Sequence, residues 1–289
     1  MKRVLVAGAT GYLGRYVVKE LKRQGFYIKA LVRNPNKLNS AGPLFAPAIR
    51  KVVDEVVIGD VTKPTTLKNI CENVDYVFTS VGLTRKSHGF TFEEVDYQGN
   101  AHLLTEAQHS QVEKFMYIHV CINDDWEQPN PLVEAKHRFV DLLTTSNVQH
   151  VIIRPTGYFS DVVPFFNMAK KGRVFLVGDG RTKMNPIHGE DLAKACVQSF
   201  AMGNRTIDVG GPEVLTYEQI ARIAFEVLGT KTRITHLPVD LLTFASRGVK
   251  WFSKHHDGMI RFLMYVMTHH VIAPKYGKHK VKEMFEEML

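Results

Sequence analysis

Along the first 155 residues, short apolar runs alternate with longer stretches in which apolar positions recur every three or four residues. Residues 4–7 form the first run, bounded by charge on one side and glycine on the other, as in a strand buried on both faces. Residues 12–24 put Leu13, Val17, Val18 and Leu21 on one side of an amphipathic helix. The strand signal returns at residues 26–32, 52–58, 75–81, 114–120 and 148–153. Residues 92–108 and 132–144 carry the helical period. A looser helix is expected over residues 40–50, interrupted by Pro43 and Pro47, and a further one starting near Pro64.

After Pro155 the rhythm changes. A helix at 159–170, a strand at 173–177, a helix at 191–202 and a strand at 205–209 are expected. Thr216 and Gln219 then form a capping box for a helix to residue 228. A short strand at 233–237 precedes helices rich in Phe, Leu and Met from residue 239 onward. Strands alternating with helices predict an α/β fold with a doubly wound parallel sheet. The expected division is an α/β core over 1–155 and a smaller, mainly helical C-terminal lobe over 156–289, with 185–210 returning to the core.

Composition narrows the picture in three ways. No stretch approaches the roughly 20 apolar residues of a membrane span. No signal-peptide pattern opens the chain, so a cytoplasmic protein is expected. Cys71, Cys121 and Cys196 are too few and too scattered for a disulfide framework or a metal site, and no metal is expected. The net charge of +8 is spread along the chain. It suits a polyanionic small molecule better than nucleic acid, for which no helix-turn-helix, zinc or aromatic-stacking motif is present. Basic and aromatic residues among the C-terminal helices, including Arg247, Lys250, Trp251, Phe252 and Arg261, leave a membrane-surface role as a further possibility. A homodimer is also open.

Between the first strand and the first helix stand Gly8, Gly11 and Gly14. A glycine-rich turn opening a helix directs backbone N–H groups and the positive end of the helix dipole at a bound pyrophosphate. Arg33 ends the second strand, where NAD-preferring sites tend to carry a carboxylate for the ribose 2′-hydroxyl. A guanidinium there suits a 2′-phosphate, so NADP(H) is preferred, with NAD(H) possible. Arg15 and Lys37 offer further positive contacts. Asp60, after the third strand, either accepts from an adenine amino group or caps the next helix. The polar loop after Gly82, with Arg85, Lys86 and His88, either faces substrate or is simply solvated.

The stretches GATGYLG (8–14), ALVRNPNKL (30–38), GDVTKP (59–64), VDYQGNAHLLTEA (95–107), IIRPTGYFSD (152–161), NPIHGEDLA (185–193) and VGGPEVLTYEQIA (209–221) resemble the atypical, NmrA-like branch of the short-chain dehydrogenase/reductases. The resemblance implies a Rossmann-type sheet of about seven strands and a bound NAD(P). By position it assigns the phosphate loop to Gly8, Thr10, Gly11, Tyr12, Leu13 and Gly14. The 2′-phosphate contact falls to Arg33 and the adenine-side acid to Asp60. Val81 and Gly82 would border the nicotinamide, with Pro155, Thr156 and Gly157 near its carboxamide.

The superfamily's usual chemistry needs a Tyr one helical turn before a Lys, so that the Lys lowers the Tyr pKa and the Tyr transfers the proton. Lys136 is present, but the position four residues earlier is Leu132, and the companion serine is missing from the segment Tyr117–Cys121. The resemblance therefore implies an NAD(P)H-dependent oxidoreductase acting on a small organic substrate without that pair. Lys136 serves either as general acid/base, if desolvation lowers its pKa, or as a cofactor ligand only. His119 and Tyr158 are the substitute proton donors. The alternative is a catalytically weak regulator that senses NADP(H).

Overall fold

The computed structural model describes residues 1–83, 89–122, 126, 129–239 and 254–289. Arg85, Lys86, His88, Arg247, Lys250, Trp251 and Phe252 lie outside the described residues. The chain divides into two compact units. One comprises Met1–His119, Pro131–Arg154 and Leu192–Ile207; the other comprises Val120–Asn130, Pro155–Asp191 and Asp208–Leu289.

The first unit is built on strands β1 (Arg3–Ala7), β2 (Tyr27–Val32), β3 (Glu55–Ile58), β4 (Tyr76–Thr79), β5 (Lys114–Ile118) and β6 (Gln149–Pro155). With β9 (Arg205–Val209) they form a seven-stranded sheet in the order β3-β2-β1-β4-β5-β6-β9. The pairings from β3 to β6 are all parallel, with Val4 opposite both Ile28 and Tyr76. The order reverses between β1 and β4, and ligands bind open α/β sheets at the carboxyl ends of strands beside such a reversal. Val4, Leu5, Val6 and Ala7 are completely buried, as their unbroken apolar run requires. Helices α2 (Asn100–His109) and α3 (Pro131–Thr144) bring Leu103, Leu104, Phe139 and Leu143 onto Leu5, Val77, Phe115 and Tyr117.

Helix α1 (Tyr12–Arg23) follows β1 directly. Gly8 turns the chain with φ +84°, a conformation that favours glycine. At Gly14 a Cβ would lie 2.1 Å from the Gly8 carbonyl oxygen, so only glycine lets the helix seat against the turn. Leu13, Val17, Val18 and Leu21 are buried, as the helical period predicts.

Arg15 departs from expectation. Its side chain is buried, and its guanidinium donates to the backbone carbonyls of Thr10 (3.1 Å), Ser40 (2.7 Å), Pro47 (2.9 Å) and Lys37. It braces the segment after β2 instead of reaching a phosphate. The looser helix expected over 40–50 is absent as well. The chain makes 3₁₀ turns at Pro35–Leu38 and Pro43–Phe45, and Leu44 and Phe45 take positive φ of 49° and 56°. Pro43 and Pro47 remove two backbone donors that a helix needs, and Arg15 satisfies the carbonyls left over.

Residues 93–99 form a π-helical turn, Glu93–Gly99, before α2 begins, where one continuous α-helix was expected. An apolar count at a period of 3.6 does not separate the two. Past Pro64 there is only a 3₁₀ turn, Pro64–Leu67.

The second unit has its own core. Helices α4 (Phe159–Lys170) and α6 (Tyr217–Val227) and the closing helix Val281–Glu287 pack through Phe159, Phe165, Phe166, Tyr217, Phe225 and Phe285. Phe166 and Phe285 stack with centroids 4.8 Å apart. The capping box at α6 forms as predicted: Thr216 Oγ1 accepts from Gln219 N (3.0 Å), and Gln219 Oε1 accepts from Thr216 N (2.8 Å). Short strands pair β7 (Val174–Val177) with β11 (Ile234–Leu237), and β8 (Lys183–Met184) with β10 (Leu215–Thr216). Among the described residues no helix is long and apolar enough to cross a membrane.

Arg15→Met removes the shared donor of four backbone carbonyls. Unfolding in urea is expected to show a loss of about 2–4 kcal/mol. A loss below about 0.5 kcal/mol, the scale of an ordinary surface substitution, would refute the bracing role.

Candidate cofactor and active site

The amino end of α1 carries the features of an anion site. Gly11 is its N-cap, no side chain caps it, and no acidic residue stands in its first turn. The first N–H groups of the helix therefore keep their partial positive charge for a ligand. Gly11 N donates to Gly8 O at 2.9 Å, which closes the turn over Thr10. Gly8 also packs close to Ser80: a Cβ at Gly8 would meet Ser80 Oγ at 2.7 Å. The structure thus brings the turn Gly8–Gly14 together with the segment that leads to Val81 and Gly82. These residues fit a dinucleotide pyrophosphate.

Arg33 is exposed directly after β2, whose end runs beside that of β1 through the pair Ala7 and Leu31. The turn that follows is set by Asn34, whose Oδ1 accepts from Asn36 N at 3.0 Å. Asp60 stands half-buried after β3. Its Oδ1 accepts from Thr62 N (3.0 Å) and Thr62 Oγ1 (2.9 Å), so it shapes its own turn. The capping alternative fails for the 3₁₀ turn at Pro64, because Thr66, not Asp60, makes the bonds there: Asp60 N donates to Thr66 Oγ1, and that hydroxyl donates to Lys63 O.

Below Val81 and Gly82 lies a buried polar network. Lys136 Nζ is 3.0 Å from Asp96 Oδ1, with the Asp96 side chain fully buried and that of Lys136 nearly so. Asp96 Oδ2 accepts from Leu83 N at 2.9 Å. Asn100 Nδ2 donates to Asp96 O (2.9 Å) and Val81 O (3.3 Å), and Asn100 Oδ1 accepts from Thr79 Oγ1 (2.8 Å). Lys136 also reaches Tyr117 Oη, at 3.5 Å. A Cβ on Gly82 would lie 2.7 Å from Asp96 Oδ1 and 3.3 Å from Lys136 Nζ, so the backbone passes directly over the ion pair.

This network corrects the condition set for Lys136 as an acid/base. Burial by itself lowers an ammonium pKa, but Tyr117 and Asp96 face it and reverse the sign, holding it above the usual lysine value. The ammonium is a fixed cation near neutral pH. Burial also pushes the Tyr117 phenol up to about 12, against the pull of Lys136. Leu132, one turn before Lys136 on α3, is buried and offers no proton.

His119 is buried at the end of β5, where its N–H donates to Ile153 O at 2.8 Å. Its ring stacks on His137 (5.1 Å, 18°) and meets the edge of Tyr117 (6.0 Å). His119 and Lys136 thus flank the same tyrosine. Pro155, Thr156, Gly157 and Tyr158 belong to the second unit. There Thr156 Oγ1 donates to Asn185 O (2.6 Å), Gly157 takes φ +147°, and Tyr158 N donates to Asp161 Oδ2 (2.8 Å) at the start of α4. Asp96 and Tyr117 are the site residues that sequence reasoning passed over.

Comparison with known proteins agrees with this geometry. A family model described as NAD(P)H-binding matches residues 8–202. The photosystem II assembly factor Ycf39 of Guillardia theta is 28% identical over 246 residues, covering 83% of this chain and 75% of its own. The divinyl chlorophyllide a 8-vinyl-reductase of Arabidopsis thaliana is 27% identical over 260 residues, covering 83% of this chain and 61% of its own. The NADPH-dependent quinone oxidoreductase QOR2 of Escherichia coli, solved with NADPH, shares the fold with a TM-score of 0.73 at 16% identity, over 99% of each chain. With its sheet order, its uncapped glycine turn and a family match over two thirds of its length, the chain belongs to the NAD(P)H-binding family of atypical short-chain dehydrogenase/reductases.

Proposed function

We propose that the protein binds NADP(H) and reduces an electron-poor carbon–carbon double bond in a small organic molecule. The observation that carries this reading is the Lys136–Asp96 pair beneath Gly82. Bound NAD(P)H supplies a hydride. The residues of the chain bind, orient and shield. The amino end of α1 holds the pyrophosphate, Arg33 the 2′-phosphate, and the Lys136 ammonium fixes the nicotinamide ribose.

Carbonyl reduction needs an acid at the oxygen as the hydride arrives. This chain has Leu132 in the usual place of that acid, and a lysine locked by a carboxylate. Reduction of a conjugated double bond does not need one at that moment. The electron pair of the double bond moves onto the electron-withdrawing group, and the adjacent carbon takes its proton from water. The vinyl reduction for which the Arabidopsis thaliana relative is named accords with this class.

The second reading is a regulator that holds NADP(H) without turnover. The same locked Lys136 favours it, as does the likeness to an assembly factor. One experiment separates the two: saturate the chain with NADPH and follow loss of its absorbance with an enone, a vinyl-substituted aromatic and a simple ketone. The proposal expects turnover with the first two and little with the ketone. NADPH bound tightly but consumed by none of them supports the regulator, and preference for the ketone overturns both readings.

Two variants test the cofactor assignments. Arg33→Ala is expected to weaken NADPH by about 10–100-fold and NADH hardly at all, since only NADPH presents the charged partner. Equal loss for both would sink the NADP preference. For Lys136, the raised pKa means that its charge persists across neutrality, and its pairing in the folded state is lost only as pH rises past the usual lysine range. NADPH affinity measured from about pH 6 to 9 is expected to show no break assignable to Lys136. A break in wild type that vanishes in Lys136→Arg would show an acid/base lysine instead.

A further inference from the structure

Among the described residues one set of histidine and carboxylate side chains converges that the cofactor reading does not use: His188, Glu190 and His279. Each offers one ligand atom, and the three atoms lie within 4.8 Å of one another. The two imidazole rings face each other with centroids 4.3 Å apart and planes inclined by 36°. All three residues belong to the second unit and are half-buried.

The supports of this cluster are built in. His188 stands edge-on to Phe159 (5.4 Å, 63°), immediately before helix α5 (Gly189–Ser199). His279 lies on the segment leading to the helix Val281–Glu287. Asp191, almost fully buried, holds that segment: its Oδ2 accepts from Lys278 N (2.9 Å) and His279 N (3.0 Å) and lies 2.9 Å from His279 Nδ1. Gly277 makes room for it, because a Cβ there would come within 2.2 Å of that oxygen. A carboxylate beside a ring nitrogen is the usual outer-shell companion of a metal-binding histidine.

We infer that His188, Glu190 and His279 bind a divalent cation of the zinc class, with Asp191 as the residue that positions His279. Two imidazoles and one carboxylate are borderline nitrogen and oxygen donors, which suit Zn²⁺ and leave a fourth position for water. Bond lengths near 2.0–2.1 Å put tetrahedral ligands roughly 3.3 Å apart, so the cluster closes by up to about 1.5 Å on binding. His188 Nδ1 accepts from Glu190 N at 3.3 Å, the long end of hydrogen bonding, and gives up that contact as the ring turns to the metal. The cation staples the start of α5 to the C-terminal segment. This assignment is independent of the redox reading.

The test is calorimetric titration of the chelator-stripped, full-length chain with Zn²⁺, with Co²⁺ absorption as a probe of coordination. One equivalent is expected, with a higher melting temperature when loaded. Glu190→Gln and His279→Gln are each expected to weaken binding at least tenfold, and Asp191→Asn by about 10–100-fold. The double variant His269→Ala, His270→Ala is expected to bind as wild type does. Far-ultraviolet circular dichroism checks each variant for folding; should His279→Gln not fold, the half-exposed Glu190→Gln decides. The inference is overturned if folded wild type takes up no Zn²⁺, if uptake survives Glu190→Gln, or if it disappears with the His269, His270 pair.

Discussion

Helix α1 can lie against the end of β1 only because nothing projects from Gly14, where a methyl group would sit 2.1 Å from the Gly8 carbonyl oxygen. That contact aims the first turn of the helix at the space beyond the sheet. The uncapped N–H groups at Gly11, the turn at Gly8 and the approach of Ser80 gather around the same contact. Placed at the reversal of strand order between β1 and β4, it makes the positive end of a helix coincide with the crevice that the topology opens.

The other organising element is the polar network of Thr79, Asn100, Asp96 and Lys136. Burying a carboxylate and an ammonium is costly unless each is paired and its remaining valences are met. Here Asp96 spends one oxygen on Lys136 and the other on the Leu83 amide, while Asn100 ties its carbonyl to that of Val81. The network thereby holds the backbone of 81–83 from below. It holds the lysine too, and keeps its pKa above the usual lysine value where desolvation alone would lower it.

Much of the first unit was legible in the residues because its signals are local. The unbroken apolar run at β1, the glycine spacing and the Leu13–Leu21 face of α1 each report on a few neighbouring positions, and each forms as read. The capping box of Thr216 and Gln219 is local in the same way. What escaped depends on partners distant in sequence. Arg15 reads as a further positive contact for the cofactor until the carbonyls of Lys37, Ser40 and Pro47 are brought over it. The residues around Lys136 do not announce Asp96, which arrives from a π-helical turn that the 3.6 period does not reveal. His188 gives no hint of His279, because the two meet only through the fold.

Arg15 speaks only to main-chain oxygens. Its grip therefore does not draw on the side chains at positions 37 and 40. The bend after β2 can therefore exchange its surface charges while the scaffold beneath keeps its shape, so that what this edge recognises can change over evolutionary time without placing the fold at risk.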